Sequence, residues 1–290
     1  MKRPNFNLAS LGRYAVTSLV VAGACLVGWR LWIHYEVDPW TRDGRVKASV
    51  VQIAPDVTGP VMSVSVRDNQ QVHAGELLFV IDPTRFELAL RQSESAVGQQ
   101  RAIVAQAERE SHRNTELSDL VSAEVREQGA AKLEQARATL AQAIVARDTA
   151  RLNLQRTRVV SPVDGTVTNL DLRAGAYVAS GKAVMALVDR HSFYVEGYFE
   201  ETKLPHIKLG DKASVLLMGE SHYVQGHVDS IASGIADRDR STSNDLLPNV
   251  NPTFNWVRLA QRVPVRITLD DVPDTVRLVA GQTATVTVVE

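Results

Sequence analysis

One cysteine, Cys25, in a chain of 290 residues excludes an internal disulfide. With only four methionines beside it, the chain has no cluster of soft ligands, which argues against a metal centre and against a metal as cargo. The seven histidines, His34, His73, His112, His191, His206, His222 and His227, are scattered. His222 and His227, near a strand turn, read as surface or structural residues rather than ligands. There is no phosphate-cradling glycine loop, no G-x-S-x-G elbow and no H-E-x-x-H pair, so no catalytic residue and no cofactor are expected. A net charge of −1 removes the overall electrostatic pull toward nucleic acid. Aromatic residues are sparse at 6%, which points to a long Ala/Gln/Arg/Glu-rich segment in mid-chain.

What is present begins with a single strongly apolar run, YAVTSLVVAGACLVGWRLWI, from Tyr14 to Ile33. A helix of this length spans the ~30 Å core of a bilayer. Arg30 near its end can snorkel to the interface beside Trp29 and Trp32. Lys2, Arg3 and Arg13 precede the run, whereas Glu36 and Asp38 follow it. The positive-inside bias puts the N-terminus in the cytoplasm and the bulk of the chain on the far side. A cleaved signal peptide would have a shorter apolar core than this one, which continues past Ala22, Gly23 and Ala24. A lipoprotein signal ending at Cys25 would usually carry Leu where Ala22 stands. A continuous anchor fits the run better than either.

Two later stretches repeat one another: PDVTGPVMSVSVRDNQQVHAGELLFVID from Pro55 and PVDGTVTNLDLRAGAYVASGKAVMALVD from Pro162. Aligning Gly59 on Gly165 equates Val61 with Val167, Val64 with Leu170 and Val66 with Leu172. It also equates Arg67 with Arg173, Val72 with Val178 and Gly75 with Gly181. Short β-branched runs punctuated by Gly, Asn and Asp predict small antiparallel strands. The four glycines read as structural, at turns or close backbone approaches.

Between the repeats the period changes. Asp82 or Thr84 offers an N-cap and Pro83 suits a first helical position. From Arg85 a proline-free stretch carries Leu90, Val97 and Val104 at heptad spacing, with Ala107 beside them, before the seam turns polar at Ser111 and Asn114. A second arm places Leu133, Leu140 and Leu154 on one seam position and Ala136, Ala143 and Ala150 on the other. The break falls near Ser118–Ala123, with Ser122 as N-cap. Two antiparallel arms of about 30 residues would reach some 45–50 Å at ~1.5 Å per residue. The polar seam predicts that the arms hold each other weakly near the turn. After Phe193, five regularly spaced strand patterns predict a small β-barrel or sandwich. They are separated by turns and by a polar stretch from Asp237 to Thr253.

Two β half-modules split by a helical hairpin, behind one anchor and ahead of a β-barrel, resemble the periplasmic adaptor or membrane fusion protein family along essentially the whole chain. Within it, PWTRDGRVKASVVQIAPDVTG, FYVEGYFEETKL and NWVRLAQRVPVRITLD are similar to the AaeA-type aromatic carboxylic acid efflux subunits. The resemblance implies an elongated mixed α+β chain. Its expected parts are a cytoplasmic N-terminus (1–13), an anchor (14–33), a linker (34–48) and lipoyl-like halves at 49–82 and 159–189. They also include the inserted hairpin (83–158) and a C-terminal barrel (190–290). It implies no enzyme but an adaptor in a ring of three or six copies, between an inner-membrane transporter and a TolC-like outer-membrane channel, with p-hydroxybenzoate-like cargo. An EmrA-type drug or type I secretion adaptor, or an envelope-spanning structural protein, are the other readings. The family's tip motif, an Arg, a Leu four residues on and a Ser beyond, falls on Arg113, Leu117 and Ser122; the last interval is shorter here than in the family. Such halves also occur in carriers bearing biotin or lipoate on a lysine at their join. Here the hairpin occupies the join and Lys182 lies away from it, which argues against a carrier.

Overall fold

A computed structural model describes residues 8–117, 120–235, 240–242, 248–250, 260–273 and 276–289. Lys2, Arg3 and most of the polar stretch 237–253 lie outside them. Two compact units result: Ser49–His191, and a second formed by Met1–Ala48 with Ser192–Glu290. Helix α1 (Leu8–Trp32) runs into a π-helical turn, Ile33–Val37, followed by β1 (Trp40–Lys47). Then come β2 (Val50–Ile53), β3 (Gly59–Val64), β4 (Gln71–Val72) and β5 (Leu77–Ile81). The hairpin helices are α2 (Thr84–Glu116) and α3 (Ala123–Gln155), followed by β6 (Arg158–Val160), β7 (Gly165–Thr168), β8 (Tyr177–Val178) and β9 (Met185–Asp189). The chain continues through β10 (Tyr194–Glu200), a 3₁₀ segment at Glu201–His206, β11 (Lys212–Leu217) and β12 (Tyr223–Ile231). A short pair, β13 (Arg240–Thr242) and β14 (Pro248–Val250), precedes β15 (Arg262–Asp271) and β16 (Thr283–Val289).

The sequence repeat is realised as an exchange of strands. The Ser49–His191 unit holds two four-stranded antiparallel sheets, ordered β2-β9-β7-β4 and β6-β5-β3-β8. The two-residue strand β8 of the second half pairs with β3 of the first, Gly59 opposite Val178. The equivalent strand β4 pairs with β7 of the second half, Val72 opposite Gly165. Under the alignment that equates Gly59 with Gly165 these are the same pair. The turn bonds repeat too: Gly75 N–H donates to the Ser161 carbonyl at 2.7 Å and Gly181 N–H to that of Pro55 at 2.9 Å. Each sheet needs a strand from each half, so the halves fold as one module. Repeat-related side chains share its core, where Val61, Val167, Val72, Val178, Ile81 and Leu187 are all buried.

The other unit is a closed six-stranded barrel, ordered β1-β10-β15-β12-β11-β16. Its inward residues alternate along each strand, as in Val195 and Phe199 of β10 and Val263, Val265 and Ile267 of β15. Here the expected linker is corrected. Residues 40–47 form β1, which closes the barrel between β10 and β16, with Val46 opposite Val195. The segment looked like a connector because Val46 is its only buried apolar side chain; its pairing comes from strands more than a hundred residues away. Helix α1 starts before the apolar run, and among the described residues Val16–Val37 is a span long and apolar enough to cross a membrane.

On the barrel wall Lys47 pairs with Glu196, which also accepts a hydrogen bond from the Tyr198 hydroxyl at 2.8 Å. Burial alone would raise the Glu196 carboxyl, but the donors Lys47 and Tyr198 outweigh it and hold it below its ordinary 4.5. A depressed carboxylate contributes stability that is present above pH 4.5 and is lost as the pH falls through the folded-state value. Glu196→Gln should therefore flatten the acid side of the stability profile. Near neutral pH it should lower stability by about 1 kcal/mol, because Lys47 is half-exposed and screened. Melting of the detergent-solubilised chain between pH 3 and 8 measures both effects; an unchanged acid slope would refute the assignment.

Candidate functional site

The hairpin enters on a polar latch. The Asp82 carboxylate accepts from the Thr84 hydroxyl at 2.6 Å and from its N–H at 3.0 Å, and these bonds hold its pKa down. Asp82 thus does the capping work and Thr84 opens the helix. The Arg85 guanidinium bonds the Thr58 carbonyl and lies over the Phe86 ring at 4.6 Å, fastening the helix base to the first β half.

Along the hairpin the expected seam is buried where both arms contribute. Val97, Val104 and Ala107 of α2 and Ala136 of α3 are buried, with Leu133 and Leu140 partly covered. Exposed ion pairs cross at matching register: Glu94 with Arg151, Glu108 with Arg137, and Glu110 with Lys132. The Lys132 ammonium lowers the Glu110 carboxyl and the Glu108 carboxylate raises the Arg137 guanidinium. Such pairs fix register more than they stabilise.

At the polar end of the seam the helices approach closely. Gly129 is buried there, and a Cβ on it would sit 3.1 Å from Asn114 Nδ2 and 4.0 Å from Ser111 Cα. The helices come together on a glycine instead of interlocking apolar side chains. A lone glycine inside a helical pattern was the available signal for this contact.

Beyond Gly129 the arms turn. Arg113 is exposed in the last turn of α2, and its carbonyl accepts from the Leu117 N–H at 3.1 Å. The Leu117 carbonyl accepts in turn from Leu120 and Val121 at 2.9 and 3.1 Å. Ser122 caps α3, its hydroxyl accepting from the Val125 N–H at 3.4 Å. Arg113 and Leu117 thus lie one turn apart where α2 ends, and Ser122 begins the returning helix. Leu117 is 44% exposed and Leu120, outside the Arg-Leu-Ser pattern, 84%. Among the described residues of this turn, both leucines present apolar surface to water.

The four glycines are placed as follows. Gly75 and Gly181 occupy turns at φ 84° and 77°, a region that side chains avoid. Gly59 and Gly165 instead open strands β3 and β7. A Cβ on Gly59 would meet Ile81 Cγ2 at 2.7 Å, and one on Gly165 would fall on the Val188 carbonyl.

A family model described as the barrel-sandwich hybrid domain of RND membrane fusion proteins matches residues 49–190, and one described as an AaeA-like β-barrel domain matches residues 192–289. A relative in Escherichia coli (strain K12), the uncharacterized protein YdhJ, is 42% identical over 277 residues, covering 95% of this chain and 97% of its own length. The chain belongs to the membrane fusion protein family. Its fold is also that of solved members. The membrane fusion protein Spr0693 from Streptococcus pneumoniae R6 superposes with TM-score 0.63 at 18% identity, over 86% of this chain and 97% of its own. MacA from Actinobacillus actinomycetemcomitans does so with TM-score 0.62 at 19% identity, over 87% and 79%. As a membrane fusion protein, the chain is an adaptor of the kind that serves efflux pumps, and its barrel is AaeA-like.

Proposed function

We propose that this adaptor is fixed in the inner membrane by Val16–Val37 with its N-terminus in the cytoplasm, and that it exports aromatic carboxylic acids such as p-hydroxybenzoate. Several copies form a ring between an inner-membrane transporter and a TolC-like outer-membrane channel. The hairpin end, through Arg113, Leu117 and Ser122, meets the channel. The observation that carries the cargo reading is the AaeA-like barrel at residues 192–289. The exposed leucines at the turn, on an end braced by Gly129, support the contact.

A strain lacking this chain should become sensitive to p-hydroxybenzoate while its resistance to a panel of hydrophobic drugs is little changed. Growth inhibition on both sets of compounds measures this. Sensitivity confined to the drugs would overturn the aromatic-acid reading in favour of a multidrug adaptor.

A further inference from the structure

The foot of the barrel holds a charged side chain that the adaptor role does not explain. Lys203, in the 3₁₀ segment after β10, is only 6% exposed, and among the described residues no carboxylate pairs with it. Its ammonium lies 5.2 Å from the centroid of the Trp40 ring, and the Arg42 guanidinium lies 5.5 Å from the same ring. Trp40 is itself fixed, donating from Nε1 to the His34 carbonyl at 2.7 Å and stacking on the His34 ring. Trp40, Arg42 and Lys203 line a cleft of about 400 Å³ with Tyr35 and Tyr198. Its remaining charges are Arg262 and Asp43, paired at 2.6 Å, and the exposed Glu200. With that pair neutralised, two cations face one carboxylate, and the cleft is net positive.

A lysine ammonium that faces the cleft with no carboxylate beside it favours an anionic partner, and the adjoining indole supplies only part of that attraction. The location of the cleft narrows what that partner is. Tyr35, one of its walls, belongs to the apolar span Val16–Val37, whose side chains are exposed and which lipid would surround. The cleft therefore opens at the end of the span, at the depth of the headgroups, where aromatic rings and basic side chains gather. We propose that the Trp40–Lys203 cleft binds the phosphate of an anionic phospholipid, with Lys203 Nζ donating to a phosphate oxygen and Arg42 closing over it from the rim. A lipid held there fastens the foot of the barrel to the membrane surface. The inference rests on α1 being a membrane anchor and not on the identity of the cargo.

Native mass spectrometry of the full chain in mild detergent, titrated with phosphatidylglycerol, phosphatidylcholine or p-hydroxybenzoate, tests it. Phosphatidylglycerol should bind the wild type in preference to phosphatidylcholine. Lys203→Gln should weaken its binding at least about tenfold, as the loss of a charge-assisted hydrogen bond requires, while Lys203→Arg should stay close to wild type. Equal phosphatidylglycerol binding by Lys203→Gln and wild type would overturn the proposal. So would Lys203-dependent binding of p-hydroxybenzoate without binding of the lipid, which would make the cleft a cargo site. Membrane sedimentation of the same variants reads the anchor separately: all should pellet with the membrane, and a soluble wild type would refute the anchor and the lipid site together.

Discussion

Leu117→Asp should abolish export while leaving the chain folded and in the membrane. The Leu117 backbone makes the bonds that turn the hairpin, accepting from Leu120 and Val121 and donating to Arg113, and an aspartate backbone makes the same ones. Its side chain is 44% exposed, so the substitution should lower hairpin stability by no more than about 1 kcal/mol, the cost of a carboxylate at the C-terminal end of α2 included. Against a partner the effect is of another size. A carboxylate placed in an apolar contact must be desolvated without compensation, and anchors at the centre of an interface lose about 2 kcal/mol or more on disruption. Repetition of the contact in every copy of a ring multiplies the loss. Complementation of the deletion strain on p-hydroxybenzoate, together with thermal melting of the purified variant, measures both sides. Normal export by a folded Leu117→Asp chain would remove the hairpin turn from the proposed channel contact. Leu120→Asp should act in the same direction, since Leu120 is the more exposed of the two.

The fold was legible wherever a local pattern carried it. The change of period at Asp82-Pro83 and the Leu/Ala seam separate hairpin from sheet without reference to any other part of the chain. The five alternating strand patterns after Phe193 announce β10, β11, β12, β15 and β16. What could not be read depended on distant partners. Strand β1 has one buried apolar residue, and only the edges of β10 and β16 make it a strand. Lys203 sits in EETKL, which looks like a solvated charge run, and Trp40 and Tyr35 enclose it only after the barrel closes. At the hairpin end the pattern Arg113-Leu117-Ser122 was visible, whereas Gly129 and Leu120 were not singled out. A glycine contact has no apolar periodicity, and an exposed leucine differs from a core leucine only once the structure is in view.

The strand exchange yields a sharper test, because residues the repeat makes equivalent should respond unequally. Gly59→Ala and Gly165→Ala are the same substitution at matching positions, each opening a strand that pairs with the other half. At Gly59 the new methyl group would meet Ile81 Cγ2 at 2.7 Å, a branch methyl on the Cβ of a buried residue, which a small χ1 adjustment must displace. That adjustment belongs to ordinary overpacking, about 1–2 kcal/mol. At Gly165 the obstacle is the Val188 carbonyl, with the Val188 carbonyl carbon next at 3.1 Å and the Asp189 Cα at 3.5 Å. Backbone cannot rotate away. Relief requires β7 to withdraw from β9, where Gly165 lies opposite Asp189, while β4 holds its other edge through Val72. Movement of β7 therefore loosens ladder bonds on both sides, and since β4 comes from the first half, the disturbance reaches both repeats. Gly165→Ala should destabilise the Ser49–His191 unit by about 3 kcal/mol or more, against the smaller loss at Gly59. Urea unfolding of the two variants beside the wild type measures the difference. Equal losses would mean that β7 can shift as freely as the Ile81 side chain, and that the exchanged strands are not what locks the halves together.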